Sequence, residues 1–336
     1  MPGACGKTGK PTPDEGAAYF GPGPRRPARH RGITGPGARS VFAGARGSRL
    51  QRGRSDKEEA ADMTGLPADY FTAPLQARVH DYWLGGKDNL EVDRKAGEAL
   101  LDPGRGGHPG LRTMARQNRA FICGDERRDG TVRWLARNRG IRQFLDLGCG
   151  LPSPPISPGS PASVHDAARL VIPDAVAAYV DRDPVVFSHV AALMKGEGVA
   201  AVRADVTEPA RVLEVIADLP LIDFTQPVAV IFGGTLSGMS AQAARETVRG
   251  FTERLAAGSA VVISCAHFDD PAVAGRIASV FAEAGWRNRG IADVRSFFDA
   301  GGLTLAEGWP GDVRCWPMVR EDEPGAAIIG GVGIKD

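Results

Sequence analysis

The chain has 336 residues, of which 43% are hydrophobic and 24% charged, and its formal net charge is +1. This length and composition allow a sizeable buried core and exclude a coiled coil or a collagen-like fibre. No run approaches 18 consecutive apolar residues and no export leader is evident, so we expect a cytoplasmic protein without a membrane-spanning segment. The five cysteines are odd in number and form no C-x-x-C pair, which argues against a disulfide framework and a zinc site.

The first 54 residues differ in composition from the rest. Eleven Lys or Arg against Asp14 and Glu15 give them a charge of +9, which leaves −8 for the remainder. Because they hold 12 Gly, 7 Pro and few large apolar residues, we predict that residues 1–62 form a disordered tail. One alternative is a basic arm for nucleic acid. Another is that this tail is not native, since Met63 opens an ordinary domain start; peptides from upstream of it in the natively expressed protein would exclude that.

Helical patterns come first in the remaining chain. An apolar face at helical spacing runs over residues 75–83 and ends at the Gly85-Gly86 pair. A longer helical pattern covers residues 112–138, and two glycines divide it into two helices. We expect residues 63–140 to form a helical cover over the domain that follows.

Five short apolar runs then alternate with helical patterns, which predicts a Rossmann-like, doubly wound and mostly parallel sheet over residues 141–320. The runs are continuously apolar, as strands covered on both faces should be. They lie at residues 143–146, 176–180, 199–203, 227–232 and 259–264. Helices are expected at 272–284 and 293–299, and a hairpin of strands at 303–308 and 313–317 to close the sheet. We expect residues 321–336 to be a flexible tail.

The first predicted strand ends in Asp146 and the turn Gly148-Cys149-Gly150. Glycines allow the backbone to approach a ligand closely. A dinucleotide fingerprint needs a third glycine and an immediate helix start, so that a diphosphate can lie at the helix N-terminus. Here Ser153 replaces that glycine and a Pro/Ser-rich loop over 152–161 delays the helix. These features count against a nicotinamide-dependent oxidoreductase.

Three successive predicted strands each have an aspartate at or just after their carboxyl end, namely Asp146, Asp181 and Asp205. The carboxyl ends of parallel strands meet at one edge of the sheet, where open α/β sheets bind ligands. Asp181 is suited to accept hydrogen bonds from two ribose hydroxyls, and Asp205 to accept one from the exocyclic amine of a base. Any one of them alone would equally suit a helix cap or a turn. Together they favour a ligand that carries a ribose and an amino acid group but no phosphate.

Several segments resemble one known family. They are Ala77–Asn89 (ARVHDYWLGGKDN), Ala115–Phe121 (ARQNRAF), Arg142–Pro152 (RQFLDLGCGLP) and Tyr179–Pro184 (YVDRDP). Over about residues 66–320 the chain resembles the class I S-adenosylmethionine-dependent methyltransferases. Within them it is similar to a bacterial S-adenosyl methyltransferase family formerly described as a domain of unknown function. The loop after Gly150 is longer and richer in proline than that family usually has.

The resemblance implies a seven-stranded sheet with S-adenosyl-L-methionine across its strand ends. Asp146, Gly148 and Gly150 would surround the methionyl part, Asp181 the ribose, and Asp205 with Val206 the adenine. The family's cover over the cofactor corresponds to Tyr82, Gly85, Gly86, Lys87, Asn118 and Arg119. Arg119 or Lys87 is expected to pair with the methionyl carboxylate on grounds of charge.

The catalytic groups are less well marked. Residues 233–238, after the fourth strand, contain no carboxylate or imidazole. In-line methyl transfer governed by positioning does not require a general base. His267, after the fifth strand, is the best candidate for one, followed by His80 and Tyr82.

The acceptor is expected to be a small molecule, because the domain's negative charge disfavours nucleic acid. No metal is expected. Alternatives are a non-catalytic sensor or partner protein that binds S-adenosylmethionine or S-adenosylhomocysteine, and an NAD-dependent oxidoreductase. The oligomeric state stays open.

Overall fold

The computed structural model describes residue 66 and residues 69–194, 196–317 and 326–336. The basic segment predicted to be disordered, residues 1–62, and the start proposed at Met63 lie outside the described residues. No helix within these described ranges is both long and apolar enough to cross a lipid bilayer.

Four helices precede the sheet. They are α1 (Gln76–Leu84), α2 (Glu91–Leu101), α3 (Leu111–Cys123) and α4 (Thr131–Arg139). α1 ends as predicted at Gly85, which adopts φ +87°. Gly124 and Gly130 separate α3 from α4, again as predicted. α2 was not predicted; the carboxylate of Asp93 accepts hydrogen bonds from the amides of Leu75 and Leu90 and so stabilises the starts of both α1 and α2.

The sheet has eight strands among the described residues, in the order β3-β2-β1-β4-β5-β8-β6, with β7 paired to β8 beside this path. The strands are β1 (Gln143–Leu147), β2 (Val176–Asp181), β3 (Val199–Arg203), β4 (Val228–Gly233), β5 (Ala260–Phe268), β6 (Thr304–Leu305), β7 (Gly311–Asp312) and β8 (Ala326–Ile334). The first five are mutually parallel, and β8 runs antiparallel to β5. The five apolar runs therefore form strands where the sequence predicts them, and seven strands lie on the continuous path.

Helices cover both faces of this sheet. They are α5 (Val164–Arg169), α6 (Pro184–Leu193), α7 (Pro209–Ala217), α8 (Ala241–Thr252), α9 (Pro271–Val280) and α10 (Ile291–Ala300). One hydrophobic core joins the sheet to α3, α4, α5, α6 and α9, and the other joins it to α7, α8 and α10. Burial on both faces explains why the parallel strands are continuously apolar.

The C-terminal part of the chain differs from the prediction. A flexible tail over 321–336 is wrong from Ala326 onward, because β8 pairs with β5 along nine residues. Glycines make this segment look flexible, yet they permit its close packing: a Cβ at Gly330 would lie 2.8 Å from the carbonyl oxygen of Ile263. The predicted hairpin is also wrong, since β6 and β7 each pair with β8 rather than with each other.

Candidate functional site

A glycine turn forms the end of β1. Gly148 and Gly150 adopt φ +68° and +66°, a region that favours glycine. The amides of Gly148 and Cys149 both donate to the carbonyl of Val180 on β2, at 2.8 and 3.1 Å. A Cβ at Gly148 would lie 2.6 Å from the methyl group of Thr235, whereas a Cβ at Gly150 would meet no described atom within 4 Å. Gly148 is thus required for packing, and Gly150 borders open space.

Two carboxylates flank this turn. Asp146, on β1, is half-buried and accepts no hydrogen bond from any residue that the structure describes. Burial raises the pKa of Asp146 to about 7; the Arg119 guanidinium opposes this and the Asp181 carboxylate adds to it. Asp181, at the end of β2, accepts hydrogen bonds from the amides of Gly150 at 3.1 Å and Asp183 at 3.0 Å. Burial raises the pKa of Asp181 as well.

Helix α3 brings polar groups to the same edge of the sheet. Arg119 donates to the carbonyl of Ala162 in the loop that follows the glycine turn. Burial, together with the nearby Arg119 charge, lowers the pKa of His80 to about 4. The Arg119 charge therefore lowers the pKa of two groups, His80 on α1 and Asp146 on β1. The neighbouring Asn118 is buried, and its amide oxygen has no partner among the described residues.

The turn after α1 closes over a buried acid. Gly86 donates its amide to the carbonyl of Asp81 at 2.9 Å, and a Cβ at Gly86 would collide with the Asp81 carboxylate. That carboxylate accepts a hydrogen bond from Asn89 at 2.8 Å. Gly85 ends the helix, and Lys87 is exposed with no ion pair to any described residue. Gly85 and Gly86 thus form the backbone of this turn, and the Lys87 side chain beside them is exposed.

Asp205 follows β3 at the same edge of the sheet. Its carboxylate accepts from the amide and the hydroxyl of Thr207, at 2.9 and 2.7 Å, and from Arg182 at 3.3 Å. Partial burial opposes ionisation, but these hydrogen bonds prevail and lower the pKa of Asp205. Val206 is buried beside it. Since β3 pairs with β2, this acid lies next to the strand end that carries Asp181.

Comparison with known proteins identifies the family of this chain. The profile of the S-adenosyl methyltransferase family matches residues 69–336. The chain belongs to this family. A DUF574-family protein from Streptomyces avermitilis MA-4680 is 31% identical, covers 79% of this chain and 99% of its own, and superposes with a TM-score of 0.66. A proposed methyltransferase from Thermobifida fusca YX is also 31% identical, covers 80% and 98%, and has a TM-score of 0.65.

No functionally curated protein matches the chain. Family membership nevertheless confirms the predicted family, the Rossmann-like fold class and the cofactor, so the protein is an S-adenosylmethionine-dependent methyltransferase. The match runs to residue 336 and so includes β8, which the sequence resemblance left out.

Tyr82 of this methyltransferase does not contact the strand-end carboxylates. Its hydroxyl donates to Glu98 and accepts a hydrogen bond from Arg112 at 3.0 Å, and the Arg112 guanidinium lies 5.0 Å from its ring centre. These partners come from α2 and α3. Tyr82 therefore links helices α1, α2 and α3, and its hydroxyl is hydrogen-bonded within them.

His267 is also distant from the carboxylates. In the sheet register Asp146 lies level with Ile231 of β4 and Val262 of β5, so His267 is five residues further along β5. At about 3.3 Å per residue this is roughly 17 Å along the strand. The imidazole instead lies 3.0 Å from Asp269. β5 has nine residues against five in β1, and it continues beyond the level of Asp146.

One contact at the site was missed by sequence reasoning. The Tyr70 hydroxyl donates to the Asp183 carboxylate at 3.0 Å, directly beside Asp181. Arg78 lies 4.8 Å from the Tyr70 ring centre and forms a buried 2.8 Å ion pair with Asp93. Tyr70, in the segment before α1, is therefore bonded to the loop that carries the second carboxylate. An Asp before a proline signals a helix cap, but nothing local in the sequence identifies a partner 113 residues away.

The Pro/Ser-rich loop after the glycine turn packs against α3. Arg116 donates to the carbonyl of Ile156 at 3.2 Å, and Ser157 donates to Glu126. Two surface cavities, of about 530 and 450 Å³, lie beside α7 and at the start of α2 rather than at the strand ends. The strand-end chemistry, not cavity size, therefore marks the candidate site.

Proposed function

We propose that this protein transfers a methyl group from S-adenosylmethionine to a small-molecule acceptor, with the cofactor held at the carboxyl ends of β1, β2 and β3. One observation carries the proposal: the pair of carboxylates, Asp146 and Asp181, around the glycine turn. Asp146 has no donor from the part of the chain that the structure describes, and Gly150 borders open space. A half-buried carboxylate without a donor is suited to receive one from a ligand.

The donor set fits the parts of the cofactor. Asp146 would accept from the methionyl ammonium, and the Arg119 guanidinium would pair with the methionyl carboxylate. Asp181 would accept from the ribose hydroxyls, and Asp205 from the adenine amine, with the buried Val206 against the ring. Lys87, exposed and outside any ion pair to described residues, is a second cation for the carboxylate. This assignment gives Asp146, Asp181, Asp205 and Arg119 each a hydrogen-bonding or ionic partner on the cofactor.

S-adenosylmethionine supplies an electrophilic methyl group on a sulfonium. The chain's contribution is to bind, orient and exclude water, because proximity and desolvation supply much of the rate of such a transfer. In this proposal the helices α1, α2 and α3 and the loop packed on α3 would exclude water. His80 is neutral at pH 7 because its pKa is about 4. It therefore adds no second positive charge beside Arg119 and a cationic cofactor, which an ionised imidazole would do.

A small-molecule acceptor is supported by charge. Residues 55–336 carry −8, the difference between the total of +1 and the +9 of the first 54 residues. The net negative charge of residues 55–336 would repel the phosphates of a nucleic acid.

Calorimetric titration of the full chain with S-adenosylmethionine, S-adenosylhomocysteine and NADH tests the proposal. We expect both sulfur ligands to bind, Asp181→Ala to weaken each by at least about tenfold, and NADH not to bind. Asp174→Ala is the matched control, since Asp174 precedes the same strand at its opposite end and makes only an exposed 2.7 Å ion pair with Arg142. Binding of NADH alone, or wild-type affinity in Asp181→Ala, would refute the assignment.

A further inference from the structure

Strand β3 forms a free edge of the sheet. It is the last strand on the path and, among the described residues, pairs only with β2. The carbonyl of Gly198 and the amide of Ala204 both form their hydrogen bonds with β2. Successive residues of a strand direct their backbone groups to opposite sides, so the even-numbered residues of β3 face β2. The N–H and C=O groups that point away from the sheet therefore belong to Val199, Ala201 and Arg203.

The interior of this edge carries neither a charged residue nor a proline. Residues 198–202 read Gly-Val-Ala-Ala-Val. Proteins that stay monomeric usually protect a free edge with charges, proline, a bulge or a covering segment. No segment that the structure describes pairs with the outer side of β3. The strand can therefore accept a further strand through its outward N–H and C=O groups.

The helix beside this edge has an uncovered apolar surface. α6 contacts β3 and packs on the sheet face to which Val199 and Ala201 direct their side chains. Residues 184–194 contain no Asp, Glu, Lys or Arg. A helix that is apolar on all sides is normally buried, yet the Leu193 side chain is 61% exposed. Only five residues separate Leu193 from the start of β3, so the apolar surface adjoins the free edge.

Opposite charges lie at the two ends of the edge. Glu197 precedes β3 and Arg203 ends it, and both are exposed. The Glu197 carboxylate has no ion pair with a described residue, whereas its backbone carbonyl accepts from Arg169. Arg203 donates only its Nε, at 3.5 Å, to the carbonyl of Arg182. A second copy in antiparallel orientation would bring Glu197 of each chain to Arg203 of the other, so this edge is complementary to itself.

We propose that the protein forms a two-fold symmetric homodimer through β3 and α6. The two β3 strands pair antiparallel about an axis near Ala200, with Val199 of each copy opposite Ala201 of the other. This pairing continues the eight-stranded sheet into the second copy and satisfies the outward N–H and C=O groups. The two α6 helices then lie on the same face of the joined sheet, on either side of the axis. The dimer goes beyond the proposed function and does not depend on it.

Sedimentation velocity of the full chain, between about 1 and 100 µM, tests this proposal. We expect the mass of the wild type to approach twice the chain mass of 35.4 kDa as the concentration rises. Arg203→Glu should raise the dimer dissociation constant at least about tenfold, because the new carboxylate meets Glu197 of the partner subunit. Glu197→Arg should do the same for the opposite reason. The double variant exchanges the two charges and should restore the dimer.

Two more variants examine the backbone and apolar parts of the surface. Ala201→Pro removes an outward N–H group without removing a hydrogen bond to β2, so it should weaken the dimer. Leu193→Glu should weaken it as well, because it places a charge on the exposed apolar side chain. Arg249→Glu is the control for charge reversal, since Arg249 is exposed on α8, which packs on the other face of the sheet. Unfolding midpoints show whether each variant is folded.

Two results would overturn the inference. One is a monomer at every concentration, which would leave the edge to residues 1–65 of the same chain or to a different protein. The other is a dimer whose dissociation constant is unchanged by both charge reversals, which would locate the interface elsewhere on the molecule. Loss of the dimer in each single charge reversal and its return in the double variant would establish the antiparallel arrangement.

Discussion

The strand-end acid Asp146 should make cofactor binding depend on pH near neutrality. Burial raises its pKa to about 7 in the free protein, and the methionyl ammonium is assigned to its ionised form. Lowering the pH from 7.0 to 5.5 reduces the ionised fraction from about one half to about 3%, while the ligand's α-ammonium stays protonated. We therefore expect the dissociation constant of S-adenosylmethionine to rise about fifteenfold over this interval.

The same carboxylate should destabilise the free protein at high pH. In the unfolded chain its pKa is near 3.8, so folding becomes less favourable as the pH rises from about 4 to about 7 and the penalty is complete above 7. A difference of about three pKa units sets an upper limit of roughly 4 kcal/mol. Because Asp146 is partly accessible to solvent, we expect about 1–2 kcal/mol. Asp146→Asn should raise the free energy of unfolding at pH 8 and leave it unchanged near pH 4.

Calorimetric titrations between pH 5.5 and 7.0 in two buffers of different ionisation enthalpy measure both the affinity and the protons released. Chemical denaturation at pH 4 and pH 8 measures stability. Asp174→Asn, at an exposed acid, is the control for removal of one carboxylate. The reasoning would be refuted by a wild-type affinity that is flat over this pH range, or by an Asp146→Asn protein that keeps the wild-type slope.

Three further substitutions examine the site. Gly148→Ala should destabilise the protein by about 1–3 kcal/mol, because φ is +68° and the new methyl would meet Thr235; Gly150→Ala has the same backbone strain but open space, so denaturation should show a smaller loss for it. Equal losses would contradict this. Tyr70→Phe removes the hydrogen bond to Asp183, which caps α6. It should lower the free energy of unfolding by about 1 kcal/mol and weaken S-adenosylhomocysteine binding a few-fold by calorimetry. An unchanged affinity would mean that this hydrogen bond does not position Asp181. Tyr82→Phe should change the affinity for S-adenosylhomocysteine by less than about twofold, because the Tyr82 hydroxyl is bonded to Glu98 and Arg112. A large loss of affinity would show that Tyr82 belongs to the cofactor site.

The sequence by itself determined the parallel part of the sheet. Strands covered on both faces must be continuously apolar, and the runs that become β1 to β5 show this without any tertiary information. The carboxylates were equally predictable, because parallel strands end at one edge. Asp146, Asp181 and Asp205 each follow an apolar run, so the fold alone brings them there. The two glycines of the turn could be predicted from the sequence, because a positive φ is a local property of the backbone that favours glycine.

Only the tertiary structure decided what lies above these strand ends. A C-terminal segment rich in glycine forms β8 because it pairs with the free edge of β5, and no local sequence pattern predicts that partner. His267 follows a predicted strand, yet β5 is longer than its neighbours, so strand length and register place the imidazole five residues beyond the level of Asp146. Tyr70 reaches its place through a hydrogen bond to Asp183, 113 residues away along the chain. Local patterns determine where strands end, whereas contacts between distant segments determine which side chains meet there.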